Sequence, residues 1–117
     1  MKKVFIGLAT ILMAQSEFAQ IYFGRVRVNS MNYQTTYITN NTSSDLRYSN
    51  HFVSGMYFYA NHNCYGTLKP NQSCSFQVQY WPSSIGYHSA YIYMTFNNPE
   101  THQSYTKTMN AWGEAVP

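Results

Sequence analysis

Apolar and polar residues alternate with period two in a series of short runs along the chain, and clusters of Asn, Ser, Thr, Gly and Pro separate them. A strand points successive side chains to opposite faces, so this pattern predicts half-buried β-strands. The clearest run is SCSFQVQYW (73–81). It sets Cys74, Phe76, Val78 and Tyr80 on one face and Ser75, Gln77, Gln79 and Trp81 on the other, until Pro82 ends it. AYIYMTF (90–96) follows the same rule, with Ala90, Ile92, Met94 and Phe96 inward and Tyr91 and Tyr93 outward. IYFGRVRV (21–28), TTYITN (35–40), residues 46–48, residues 55–60 and SYTKTMNAW (104–112) complete seven expected strands. No segment after the first 19 residues has helical period. Seven short strands with regularly spaced turn signals predict an all-β, two-sheet, immunoglobulin-like sandwich.

The amino terminus reads differently. MKKVFIGLATILMAQSEFAQ has two lysines, an apolar run from Val4 to Met13 and small residues at Ala14, Ser16 and Ala19. This is the layout of a cleaved signal peptide, and the apolar run is shorter than the ~20 residues that a membrane span needs. The expected division is a leader over 1–19, with a cut after Ala19 or after Ser16, and one small domain over 20–117. The expected location is therefore the periplasm or the cell exterior.

Composition narrows the function. Charged residues make up only 9% of the chain and aromatics 18%, so solubility rests on neutral polar side chains. After the leader, Arg25, Arg27, Arg47, Lys69 and Lys107 face Asp45, Glu100 and Glu114. That small, scattered positive balance excludes a nucleic-acid footprint. Those three carboxylates lie far apart in sequence, no nucleophile elbow of the form G-x-S-x-G occurs, and the four histidines (His51, His62, His88, His102) show no metal-binding spacing. The histidines are expected in or near surface turns. The chain is read as non-enzymatic, with no metal and no cofactor.

Cys64 and Cys74, the only cysteines, close CYGTLKPNQSC. Two thiolates alone make an incomplete metal site, and the spacing is not that of a C-x-x-C redox motif. In an exported chain an even cysteine count favours a structural disulfide.

FGRVRV (23–28), ITN (38–40) and above all Cys64, Leu68-Lys69-Pro70-Asn71-Gln72-Ser73-Cys74, Val78-Gln79-Tyr80-Trp81-Pro82, Gly86 and Ala90 resemble the ASH domain, named for abnormal-spindle and hydin-type proteins and found in bacterial choice-of-anchor D exported proteins. The resemblance runs from about Ile21 to Gly113. Asn29, Asn71 and Ala111 stand where that family carries glycine. Asparagine tolerates the left-handed conformation best after glycine, so the first two keep the turn chemistry. The resemblance implies an interaction domain without saying what it binds.

Two surfaces follow from the residues. Pairing of the 73–81 and 90–96 strands would join Trp81, Gln77 and Gln79 to Tyr91 and Tyr93 in one outward aromatic surface, suited to an interface or a sugar platform. The first and last strands are expected sheet edges, where Arg25 and Arg27 either receive a partner strand or block uncontrolled pairing. The expected partner is another envelope or surface protein, with a glycan bound on the aromatic face as the alternative.

Overall fold

Period-two alternation does here what it predicts. The computed structural model describes residues 10–12 and 18–117, and every regular element among them is a strand. In order these are β1 (Thr10–Leu12), β2 (Phe18–Arg27), β3 (Asn32–Thr39), β4 (Leu46–Ser54), β5 (Phe58–His62), β6 (Thr67–Leu68), β7 (Ser73–Tyr80), β8 (Gly86–Asn97) and β9 (Ser104–Val116). They form a first sheet in the order β1-β3-β7-β5 and a second in the order β2-β9-β8-β4-β6. The all-β Ig-like sandwich is therefore correct, with nine strands among the described residues in place of seven. The expected leader lies largely outside the described residues, and β2 runs through Ala19 and Gln20.

The core fills the space between the sheets. Ile38, Phe76, Val78 and Tyr80 from the first sheet meet Leu46, Ile92, Met94, Phe96, Met109 and Ala111 from the second, all buried. The inward sets read from 73–81 and 90–96 are the observed ones. Ala111 lies opposite Ala90 in the β8–β9 ladder and is wholly buried, so its methyl fits where the family has glycine. Asn29 and Asn71 take φ of 68° and 66°, the left-handed values that the glycine positions demand.

Asn40 explains the TN motif. It is fully buried at the end of β3, and its side-chain amide donates to the carbonyls of Leu68 and Ser44, both at 2.8 Å. Its Oδ1 accepts from the Thr42 backbone N–H (3.0 Å) and hydroxyl (2.6 Å). The Asn40 backbone bonds Gln72 and Asn71 in the turn across from it. One asparagine thus fastens the β3–β4 loop to β6 and to the Pro70 turn, and leaves no side-chain polar atom of its own unpaired.

Three expectations about pairing are corrected. β7 and β8 do not pair, because the chain crosses between sheets at Pro82. β9 is no edge, since it lies between β2 and β8. β4 continues to Ser54, well beyond Tyr48, through an irregularity between Tyr48 and Asn50 that resets its alternation.

Candidate functional site

The disulfide is formed: Cys64 and Cys74 are joined across 5.1 Å between Cα atoms. It ties the loop leaving β5 to the start of strand β7, and both sulfur-bearing residues are buried. Beside it, the Cys64 N–H donates to His62 Nδ1 at 3.0 Å. This loop is a structural clamp.

The expected aromatic surface divides into two. Gln77 and Gln79 point outward from the first sheet, and Trp81 follows β7 with its backbone N–H donating to the Tyr57 carbonyl at 2.9 Å. Tyr91 and Tyr93 point outward from the second sheet, on the far side of the sandwich. The physical reason is the crossover at Pro82, which moves consecutive strands into different layers.

On the second sheet Tyr93 lies between Phe52 of β4 and Thr108 of β9, and the Phe52 and Tyr93 rings stack at 6.4 Å and 23°. Tyr91 lies between Ser54 and Asn110. One row further, Trp112 pairs with Tyr22 of β2 at 5.4 Å between centroids. Phe52 is 62% exposed and Tyr91 47%. Sequence reasoning missed Phe52 because the β4 irregularity hides its phase, although NHFVS carries the apolar alternation that would have found it.

The charges gather at the rim of this face. β2 is the sheet's edge strand, and Arg25 Nε lies 3.3 Å from Glu114 Oε1 on neighbouring β9. Arg25 is largely exposed, so the ion pair adds little stability. It does occupy the edge with charge. Arg27 follows on the same strand, exposed.

Three of the four histidines are in strands, contrary to the expected surface turns. His51 of β4 and His62 of β5 face inward from opposite sheets, with ring centroids 4.9 Å apart. Tyr48 hydroxyl bonds His51 Nδ1 at 2.7 Å, while His62 stacks between Tyr65 (4.3 Å) and Phe76 (5.7 Å). Burial, and secondarily the His51 charge, push the His62 pKa down. At the other end, His88 Nδ1 lies 2.6 Å from the Tyr80 hydroxyl, and its Nε2 is 3.4 Å from Ser84 Oγ. Ser84 Oγ also bonds the Tyr57 hydroxyl at 3.0 Å. The partner that orients His88 is a phenol pushed up to about pKa 12 by burial first and by Glu114 second, so it brings no anion to the imidazole. Among the described residues, no group of three or more His, Cys, Asp or Glu converges on a metal position.

The fold is now decided by comparison. The family model for the HYDIN/CFA65/VesB-like Ig-like domain matches residues 14–110. The chain belongs to that family. The ASH-type resemblance read from Leu68, Pro70 and Cys74 is thereby borne out. Among solved structures, the HYDIN/CFA65/VesB-like chain is similar to the ASH/PapD-like domain of human CEP192 (PapD-like domain 7). The TM-score is 0.68 at 13% identity, over 83% of this chain and 80% of that one. It is also similar to the VesB protease of Vibrio cholerae, with TM-score 0.68 and 16% identity over 82% of this chain and 30% of that one. The secreted serine protease VesC of the same organism gives 0.57 and 20%, over 83% and 22%. The chain thus spans less than a third of either protease. At these identities the likeness is one of fold. No curated protein matches the chain.

Proposed function

We propose that this Ig-like domain is exported and acts, without catalysis, as a module that binds another protein at the cell envelope or surface. The observation that carries the reading is the outer face of the second sheet, where Phe52, Tyr91 and Tyr93 form a contiguous exposed aromatic patch bordered by the Arg25–Glu114 pair. Aromatic centres with polar rims are what protein interfaces select, because Tyr and Phe bring large contact area at low entropic cost. Export is supported by the signal-like first 19 residues and by the formed disulfide, which an oxidising compartment favours. No helix among the described residues is long and apolar enough to cross a membrane.

The test has two arms. Fractionation with mass spectrometry of the exported form should find a new N-terminus after Ala19 or Ser16; an unprocessed chain retained in the cytoplasm would defeat the export reading. Cross-linking in intact cells should trap one discrete protein adduct with the wild type and lose it in Tyr91→Ala/Tyr93→Ala, while the melting temperature stays within a few degrees. An adduct indifferent to both tyrosines would remove this face from consideration.

A further inference from the structure

The outer face of the first sheet has a different chemistry from that of the second. Its central strand β7 is flanked by β3 and β5, and the registers place Tyr33, Gln79 and Tyr59 side by side in one row across the sheet. Thr35, Gln77 and Asn61 form the next row. Tyr37 follows on β3, beside Ser75. Tyr33 and Tyr59 are each 51% exposed and Tyr37 40%. No Asp, Glu, Lys or Arg occupies either row; Arg25 and Glu114 lie on the other sheet, and Asp45, Lys69 and Glu100 lie in loops.

We infer that this face binds a neutral, extended glycan, with Tyr33 and Tyr59 as two stacking platforms and Gln79 as the polar contact between them. The inference goes beyond the protein-binding reading and uses the opposite side of the sandwich. Three features carry it. First, Tyr33 and Tyr59 are two strand spacings apart, about 10 Å, which is comparable with the length of a disaccharide unit, so alternate sugars of one chain reach both rings. Second, the Tyr33 hydroxyl donates to Met31 Sδ at 2.8 Å, in the residue just before β3, and this contact restrains the exposed phenol. A restrained ring loses little freedom when it meets the apolar C–H face of a pyranose. Third, the Gln79 and Gln77 amides and the Asn61 amide between and beside the rings each offer donors and acceptors that match sugar hydroxyls.

Charge selects the ligand. A polyanion or polycation finds no counter-charge on these rows, and an uncharged chain pays no cost for a buried unpaired ion.

Calorimetry of the full chain with cellohexaose and, in a parallel arm, with chitohexaose tests the inference. The two arms separate a plain glucan from an N-acetylated one. Saturable binding is expected in at least one arm, and it should be unchanged between about 0.05 and 0.5 M salt because no ion pairs are made. Tyr33→Ala and Tyr59→Ala should each weaken it by at least about tenfold. Tyr33→Phe and Tyr59→Phe, which keep the ring and the fold, should weaken it by less than about threefold. Tyr91→Ala/Tyr93→Ala should leave it intact, which separates this face from the proposed protein interface. If Tyr59→Ala does not fold, Gln79→Leu serves, with a loss of about tenfold expected. Absence of binding in both arms overturns the inference. So does binding that survives the Tyr33 and Tyr59 changes, or a cross-linked protein adduct that depends on those tyrosines.

Discussion

Gly113 of β9 lies directly beneath the Tyr80 ring: a methyl group built on Gly113 would stand 2.7 Å from Tyr80 Cε2 and 3.1 Å from Phe23 Cβ. The ring cannot withdraw, because Phe58 stacks on it at 4.5 Å and 10° and Phe23 packs against it at 5.4 Å. The glycine near the end of the last strand is therefore a packing requirement of the core, since it lets Tyr80 cross from the first sheet to the second. Gly113→Ala should destabilise the domain by about 1–3 kcal/mol through overpacking. Urea unfolding checks it, and an unchanged midpoint would show that the Tyr80 ring has room to move.

Tyr80 also gives the domain an alkaline limb. Its pKa is pushed up to about 12, by burial first, then by Glu114 and Tyr57. The unfolded chain releases this proton near the ordinary value of 10 while the folded one keeps it. Between those values the folded state binds more protons, so stability falls as pH rises above 10 and the loss is complete above about 12. Tyr80→Phe keeps the stacking and loses the 2.6 Å contact with His88, which should cost about 1 kcal/mol at neutral pH. The same variant should melt with a flatter dependence on pH above 10. An alkaline limb as steep as that of the wild type would assign it to other tyrosines.

How far the fold was legible depends on what each residue reports. The inward face of β7 was readable because Cys74, Phe76, Val78 and Tyr80 alternate without a fault, and burial follows that alternation. Which sheet a strand joins was not readable, because period two is the same in either layer. Tyr91 and Gln79 were thus placed together although a sandwich separates them. His62 read as a turn residue because Asn61, Asn63 and Gly66 surround it, yet its ring docks on Phe76 across the ladder. Tyr33 and Tyr59 passed unnoticed as a pair because they are 26 residues apart and meet only through Gln79.

The Cys64–Cys74 clamp closes a short loop with a sequence separation of 10. In the chain-entropy account such a closure stabilises by about 2–3 kcal/mol. Cys64→Ser/Cys74→Ser should lower stability by that amount, measured by denaturant midpoint at constant slope. The strand pairing of Ile38 with Cys74 and the Asn40 bonds to the Pro70 turn remain available, so the variant should keep its far-UV spectrum. Loss of all β signal would show that the clamp is needed to reach the fold.

At low pH His62 should weaken the domain. His62 Nδ1 accepts the Cys64 N–H, so the neutral ring carries its proton on Nε2, which is buried and finds no partner among the described residues. Protonating the ring would turn Nδ1 into a second donor facing that N–H, and would place a cation 4.9 Å from His51. The rings packed around it are those of Tyr48, Tyr65 and Phe76, and none is a carboxylate. Burial first and His51 second hold the His62 pKa below its ordinary value of 6.5. Well above 6.5 the folded and unfolded chains are both neutral at this residue, so it adds no pH dependence there. As pH falls through that value the unfolded chain takes up the proton first, so stability declines, and the decline is complete once pH is below the lowered folded value. Melting temperature measured from pH 7.5 to 5 should therefore fall in the wild type and fall less in His62→Phe, whose ring keeps the stack with Tyr65 and Phe76. Equal slopes for the two proteins would show that the acid limb does not come from His62.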